Sequence, residues 1–180
     1  MPDIIHVHDK YFVPYLSEHE IIEKVKALAQ QISKEYEGKR PLFISILNGS
    51  FMFSADLFKF ITIDAEICFI KLASYKGTRS SGQIITAIGL DTDLKGRDII
   101  IVEDIIDTGK TIHQFLPQVF NQQPSSLKIA VLLHKPAATV FPVKIDYICF
   151  TIPDKFVVGY GLDYNGLGRN LAQLYQLKED

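Results

Sequence analysis

Short apolar runs of five to seven residues, separated by longer amphipathic stretches, constrain the fold of this chain more than any other feature of its sequence. The first run covers residues 42–47; it is too short for a buried helix, and Asn48 and Gly49 end it with a turn signal. Similar runs lie at 66–72, 84–90, 98–102, 128–133 and 145–150. Strands that are apolar along their whole length are typical of a parallel sheet covered by helices on both faces. We therefore predict an α/β fold with a central, mainly parallel sheet flanked by helices.

Three stretches before or between these runs are predicted to be helical. Ser17 and Glu20 have the spacing of a capping box, in which each side chain accepts a hydrogen bond from the backbone N–H of the other residue. Apolar residues then recur at intervals of three and four, on one helix face: Ile21, Val25, Leu28 and Ile32. Helix-like stretches also cover 51–60 and 111–120. Because ligands of such folds bind beyond the carboxyl ends of the strands, the segments that follow the apolar runs are predicted to carry the chemistry.

Composition narrows the class of protein. A chain of 180 residues with 47% hydrophobic and 22% charged residues, and without a repeat or a long linker, is predicted to form one domain. Its 19 basic and 21 acidic residues give a formal charge of −2, so no nucleic-acid partner is expected. No apolar run approaches the roughly 20 residues of a membrane span, so no membrane partner is expected either. Cys68 and Cys149 lie far apart in apolar surroundings, which favours free thiols and a soluble, cytoplasmic protein.

The residues that follow the run at 98–102 are the most informative part of the sequence. Glu103, Asp104 and Asp107 supply three carboxylates within five residues, and a Gly-Lys-Thr sequence comes next. This is not a Walker A loop, because that loop needs a glycine five residues before Gly109, where the chain has Asp104. Glu103 and Asp104, placed just past the predicted strand, can instead accept hydrogen bonds from the hydroxyls of a sugar.

Residues 107–111 form a small, hydroxyl-rich loop at a predicted helix N-terminus. The N–H groups and the positive dipole end of a helix can hold one phosphate dianion there. Thr108 and Thr111 add hydroxyl donors, and Gly109 permits close approach of the backbone, beside Lys110. The alternative interpretation is a solvated acidic turn before a capped helix. The carboxylates and the loop together favour a phosphoribosyl site.

The segment 102–111 resembles the phosphoribosyl-diphosphate signature of type I phosphoribosyltransferases. The segment 152–165 is similar to the purine-binding segment of the hypoxanthine-guanine branch of that family, and shorter similarities lie at 47–51, 74–82 and 132–136. The resemblance runs in the family's order from about residue 42 to residue 169. It implies the type I phosphoribosyltransferase fold in one domain, 1–180, with a core at about 42–150 and a small hood formed by residues 1–16 and 151–180.

The resemblance implies that hypoxanthine or guanine displaces pyrophosphate from C1 of Mg²⁺-bound phosphoribosyl diphosphate. Asp107 matches the family's general base, which takes up the purine N7 proton. Mg²⁺ is the implied cofactor, and Asp163, Glu103 and Asp104 are its implied ligands.

The implied purine contacts come from two segments. Lys135 matches the family lysine that donates to the purine O6; alternatively, it is a surface lysine before a proline. Phe156 is expected to stack on the purine ring, although an isolated phenylalanine is more often a core residue. The Val157 backbone carbonyl is expected to contact the ring edge.

The implied pyrophosphate contacts lie in the turn at 47–50, where the family's peptide before the second residue can be cis. Asn48 and Gly49 are expected to contact the diphosphate there. Many family members carry Lys where this chain has Asn48, so the turn lacks one positive charge. Arg169 matches a family arginine near pyrophosphate, and its planar guanidinium suits phosphate oxygens; the alternative is an exposed arginine near the C-terminus.

Residues 71–83 form a connection that is long and polar for one joining two apolar strands. The resemblance implies a mobile lid here, in which Ser74 and Tyr75 close over the reaction centre and exclude water. An ordinary flexible hairpin is the alternative.

Two other functions remain open at this stage. One is a regulatory protein that uses this fold to sense phosphoribosyl diphosphate, and the other is a transferase that prefers xanthine. The substrates expected from the resemblance are a purine base and phosphoribosyl diphosphate. A homodimer or homotetramer is expected on the same ground.

Overall fold

Ten strands and three α-helices lie within residues 4–74, 84–88 and 90–179, which are the residues described by a computed structural model. The helices are α1 (Glu18–Glu35), α2 (Phe51–Phe60) and α3 (Lys110–Phe120), and a 3₁₀ turn covers Pro136–Ala138. The strands are β1 (Ile5–Val7), β2 (Lys10–Leu16), β3 (Leu42–Leu47), β4 (Glu66–Ser74), β5 (Ile84–Ile88), β6 (Asp98–Ile106), β7 (Ser126–His134), β8 (Tyr147–Thr151), β9 (Val157–Val158) and β10 (Leu174–Leu177).

A six-stranded sheet in the order β5-β4-β3-β6-β7-β8 forms the centre of the fold. Strands β4, β3, β6, β7 and β8 are parallel, and β5 pairs antiparallel with β4. Helices α1 and α2 pack on one face of the sheet and α3 packs on the other. Both faces are therefore covered, which is why the strands are apolar along their length. The predicted α/β fold with a mainly parallel central sheet is confirmed.

Helix α1 begins as the sequence predicts. The Ser17 hydroxyl accepts the Glu20 N–H, and the Glu20 carboxylate accepts the Ser17 N–H at 2.9 Å, which completes the capping box. The predicted apolar stripe is buried against the sheet. Helix α2 has its predicted bounds, and α3 begins one residue earlier than predicted, at Lys110.

Strands β4, β6 and β7 are longer than predicted, and the length of β6 corrects the placement of two candidate residues. Strand β6 continues to Ile106, so Glu103 and Asp104 lie inside it and not just past its end. The reason is pairing with β7, since Glu103 lies opposite Val131 and Ile106 opposite His134. The strand was predicted to end where the apolar run stops. The backbone hydrogen bonds between β6 and β7 nevertheless continue past Glu103 and Asp104, near the carboxyl end of the strand.

A second, antiparallel sheet in the order β1-β2-β10-β9 is built from the two terminal segments, and we call it the hood sheet. A small core with Phe12, Val158 and Tyr175 supports it. The predicted division of one domain into core and hood stays a prediction. No helix among the described residues is both long and apolar enough to span a membrane.

Candidate active site

A cleft of about 380 Å³ opens at the edge of the central sheet where the parallel strands have their carboxyl ends. It brings together eleven residues that the sequence predicts to contact phosphoribosyl diphosphate or Mg²⁺: Asn48, Gly49, Glu103, Asp104, Asp107, Thr108, Gly109, Lys110, Thr111, Asp163 and Arg169. The parallel arrangement explains this convergence, because β3 and β6 deliver their following residues to the same edge.

Residues 107–111, the phosphate loop, join β6 to α3. The Thr108 hydroxyl accepts the Lys110 N–H at 3.3 Å. Gly109 caps α3 with a left-handed φ of +79°, and a Cβ at this position would lie 2.1 Å from the Phe141 carbonyl oxygen. Both the conformation and the close approach require glycine. The first turn of α3 lines the cleft, and N–H groups at a helix start lack acceptors within the helix, so they suit an anion.

The turn after β3 packs tightly against β6. The peptide between Leu47 and Asn48 is cis, as the resemblance allows. A Cβ on Gly49 would lie 1.6 Å from Asp104 Oδ2, and a Cβ on Gly161 would lie 2.1 Å from the Gly49 carbonyl oxygen. Gly49 therefore sits between the acidic strand and the segment after β9, with no room for a side chain.

Three buried serines pack beneath this turn, and the contacts between their hydroxyls were not predicted. The Ser45 hydroxyl lies 2.7 Å from that of Ser50 and 2.6 Å from that of Ser54. Ser50 also donates to the Ile46 carbonyl. An isolated serine in an apolar strand has no recognisable pattern, because its partners come from the next turn and helix.

Glu103 and Asp104 concentrate negative charge in the cleft. Glu103 is only 7% exposed, and burial, followed by the charge of Asp104, raises the pKa of the Glu103 carboxyl well above its usual value. Ionisation of both groups is unfavourable without a counter-charge, so this pair suits a divalent cation. Mg²⁺ is usually held by one or two carboxylates together with phosphate oxygens and waters, so the donor chemistry fits it.

Asp163 has other partners in this structure. Its Oδ1 lies 2.6 Å from Arg169 Nη2, and its Oδ2 accepts the Gly166 N–H at 2.7 Å. Arg169 also donates to the Gly161 carbonyl at 2.7 Å. The three predicted metal ligands all line the cleft, but within residues 4–74, 84–88 and 90–179 no three His, Cys, Asp or Glu side chains form a group placed to hold a metal.

A smaller pocket of about 230 Å³ adjoins the cleft, and its wall includes Lys135, Phe156 and Val157. The two cavities share the residues Asp104, Ile105, Asp107 and Asp163. The predicted purine-binding residues therefore line a cavity that also contains the predicted general base and adjoins the cleft.

Lys135 is the buried cation of the smaller pocket. It is 5% exposed, and its Nζ lies 3.5 Å from Asp107 Oδ2 and 3.3 Å from Asp154 Oδ1. A buried ammonium needs such partners. Asp154 was not predicted as a site residue, although it lies inside the segment similar to the purine-binding segment.

The Phe156 side chain is 44% exposed, so its ring is accessible to a ligand in the pocket. Its ring contacts Phe12 at a centroid distance of 6.2 Å and meets Tyr164 edge to face at 5.7 Å. The Tyr164 hydroxyl donates to Asp9 at 2.8 Å, and this hydrogen bond lowers the pKa of Asp9. Phe12 and Asp9 come from the N-terminal hairpin, which sequence reasoning did not connect with the site.

The predicted lid falls largely outside the described residues. Ser74 is the last residue of β4, and only its backbone is described. Tyr75 lies outside the described residues, so its predicted role stays a prediction.

A parallel sheet with a phosphate-type loop at the start of a helix defines an α/β protein built to bind a phosphorylated ligand at its carboxyl edge. Comparison with known sequences narrows this class. The chain belongs to the phosphoribosyl transferase domain family, whose sequence model matches residues 14–165.

Individual relatives agree with this assignment. The hypoxanthine-guanine phosphoribosyltransferase of Lactococcus lactis is 48% identical over 166 residues, which is 92% of this chain and 90% of that protein. A crystal structure of a hypoxanthine-guanine phosphoribosyltransferase from Bacillus anthracis superposes with a TM-score of 0.86 at 38% identity, covering 92% of this chain and 98% of that one. A hypoxanthine phosphoribosyltransferase from Staphylococcus aureus gives a TM-score of 0.87 at 38% identity, covering 92% and 90%. The predicted family resemblance is confirmed.

Proposed function

We propose that this chain is a purine-salvage enzyme that transfers the 5-phosphoribosyl group from 5-phosphoribosyl 1-diphosphate to N9 of hypoxanthine or guanine. The products are IMP or GMP and pyrophosphate. The names of the similar enzymes support this substrate choice and do not favour a xanthine-preferring enzyme or a regulatory protein.

The observation that carries the proposal is that the two cavities adjoin and share lining residues. A phosphorylated sugar in the larger cleft and a planar base in the smaller pocket would meet beside Asp104, Asp107 and Asp163, which line both. In the reaction, N9 attacks C1 and forms the new bond while the bond from C1 to the diphosphate oxygen breaks. Pyrophosphate leaves with that electron pair, and the proton on N7 goes to Asp107.

Lys135 would act next to Asp107 on the same edge of the purine, where its ammonium donates to O6. This is favourable in the transition state because the low exposure of Lys135 strengthens its interaction with charge that develops on the ring. Phe156 would stack on the ring face, and its rigidity comes from Phe12 and Tyr164. The Val157 carbonyl would contact the ring edge from β9.

The phosphate loop would hold the 5′-phosphate, with hydroxyl donors from Thr108 and Thr111 and N–H groups from the start of α3. Asn48 and Gly49 would contact the diphosphate. Arg169 would add a charge there, since its two contacts to protein oxygens use only part of the five-donor guanidinium.

Glu103, Asp104 and Asp163 are the residues that would hold Mg²⁺. When bound, the ion neutralises part of the diphosphate charge and so makes pyrophosphate a better leaving group. The adjacent carboxyl groups of Glu103 and Asp104 in the cleft, which supply oxygen donors, support this assignment.

We further propose that Ser74 and Tyr75 form a lid, that the protein is a homodimer or homotetramer, and that it works in the cytoplasm. Free thiols at Cys68 and Cys149 support a reducing location. Exposed rings at Phe51, Phe69 and Phe120 support self-association, which light scattering after size-exclusion chromatography measures directly.

The test is a competition assay with hypoxanthine, guanine and xanthine, each supplied with phosphoribosyl diphosphate and Mg²⁺. We expect nucleotide to form with hypoxanthine and guanine, and much less with xanthine. Binding of phosphoribosyl diphosphate without nucleotide formation from any base would refute the proposal and indicate a regulatory protein. Preferential turnover of xanthine would refute the substrate assignment alone.

A further inference from the structure

Residues 136–141, which we call the connecting segment, follow β7 and pack against the phosphate loop. The N–H groups of Val140 and Phe141 both donate to the Thr108 carbonyl, at 3.0 and 2.9 Å. The Phe141 carbonyl lies against Gly109, at the position where a Cβ would come within 2.1 Å of it. The segment after Lys135 therefore reaches back and fixes the loop that begins at Asp107.

Thr139 joins the two candidate catalytic residues directly. Its hydroxyl lies 3.2 Å from the Asp107 carbonyl oxygen and 3.1 Å from the Lys135 carbonyl oxygen. A threonine hydroxyl has a single proton, so two nearly equal distances describe one donor shared between two acceptors. His134 Nε2 lies 3.4 Å from the Thr139 hydroxyl oxygen, which can accept a hydrogen bond as well as donate one.

The Thr139 hydroxyl lies just past the end of the ladder between strands β6 and β7. The ladder between β6 and β7 ends with Ile106 opposite His134, and the Lys135 N–H still donates to Ile106 at 2.9 Å. Asp107 and Lys135 thus belong to two segments that leave their strands at the same point. The Asp107 carboxylate and the Lys135 ammonium are 3.5 Å apart in the structure.

We propose that Thr139 is a positioning residue for phosphoribosyl transfer. Its shared hydrogen bond holds the backbones of Asp107 and Lys135 at the spacing at which one purine ring satisfies both side chains, with N7 at Asp107 and O6 at Lys135. The inference rests on the proposed function. Because the N7 proton moves to Asp107 and electron density shifts towards O6 in the transition state, a change of this spacing lowers kcat more than it weakens substrate binding.

The test compares Thr139→Val, which keeps the shape and removes the donor, with Thr139→Ser, which keeps the donor. Thr62→Val is the matched control, because it makes the same change at an exposed position after α2, at the opposite edge of the sheet. We expect Thr139→Val to lower kcat about 10- to 100-fold, since a misplacement of about 1 Å can cost about 100-fold. KM for phosphoribosyl diphosphate should stay within about threefold, because the Val140 and Phe141 contacts to Thr108 remain. Thr139→Ser should retain at least a third of wild-type kcat.

Four outcomes would overturn the proposals, and they can be told apart. Absence of turnover by the wild-type protein refutes the proposed function itself. An active wild type with unchanged kcat in Thr139→Val refutes the role of Thr139. Equal loss in Thr139→Val and Thr139→Ser, or a fall of Tm with parallel changes in kcat and both KM values, shows a merely structural residue and also overturns the inference. A crystal structure of Thr139→Val in which Asp107 and Lys135 keep their spacing would overturn it even if the activity fell.

Discussion

Gly49→Ala tests whether the packing of the turn after β3 against β6 is needed for activity. The new Cβ would start 1.6 Å from Asp104 Oδ2, and ordinary contact begins at 3.4 Å, so the two groups must separate by about 1.8 Å. Either the Asp104 carboxylate rotates out of the cleft or the turn moves away from it. Both changes displace a group proposed to contact phosphoribosyl diphosphate, and because a misplacement of 1 Å can cost about 100-fold, we expect kcat/KM for this substrate to fall by about 100-fold or more.

The assay measures nucleotide formation at limiting phosphoribosyl diphosphate and Tm in the same preparation. Gly38→Ala is the control, because it should lower Tm without lowering kcat/KM. Gly38 has φ of +74°, and nothing lies within 4 Å of a Cβ there. Alanine at this left-handed position costs about 1–2 kcal/mol, which is about 2–8 °C in Tm for a domain of this size, without loss of kcat/KM. If Gly49→Ala kept kcat/KM within threefold of wild type, the close contact with Asp104 would have no functional meaning.

Three further predictions concern single side chains. Asp107→Asn should lower kcat about 10²- to 10⁴-fold, the usual contribution of a general base, and single-turnover kinetics with near-normal rates would remove that role. Asp154→Asn should lower kcat/KM for the purine about tenfold, as expected when a charged hydrogen bond to Lys135 is lost, while KM for phosphoribosyl diphosphate stays the same; equal effects on both substrates would contradict a role in the base pocket. Hydrogen bonds from Lys128 and Tyr147 lower the pKa of Glu35 below its usual 4.5, so this carboxylate stabilises the fold above that pH and loses its contribution as pH falls through the lowered pKa. The free energy of unfolding of Glu35→Gln, measured with urea at pH 7, should therefore be lower than that of wild type by about 0.5 kcal/mol for so exposed a pair, and the difference should shrink as the pH is lowered below 4.5; a difference that does not shrink would refute the electrostatic explanation.

Features set by neighbouring residues were predictable from the sequence. The run at 42–47 matches β3 at both ends, and the spacing of Ser17 and Glu20 predicted the observed capping box. The phosphate loop was predictable for the same reason, since its hydroxyls, its glycine and the helix start are consecutive.

Contacts between distant segments were not predictable in this way. The end of β6 depends on pairing with β7, so the loss of apolar character at Glu103 gave the wrong strand end. Asp154 is recognisable only once the fold brings it to Lys135, and Thr139 only once the connecting segment returns to the phosphate loop. No local pattern encodes which side chains meet across a sheet edge.

The origin of the pocket walls has a consequence for how base preference can change. Phe156 follows the central sheet and Val157 belongs to the hood sheet, whereas the phosphate loop joins β6 to α3. The residues proposed to stack on the base and to contact its edge are thus encoded apart from the phosphate loop, while Asp107 and Lys135 contact the base from loops of the central sheet. Combinatorial libraries confined to the neighbours of Phe156 and Val157 can sample new acceptor bases while the donor half stays constant, so a variant with altered base preference can be selected without rebuilding the phosphate site.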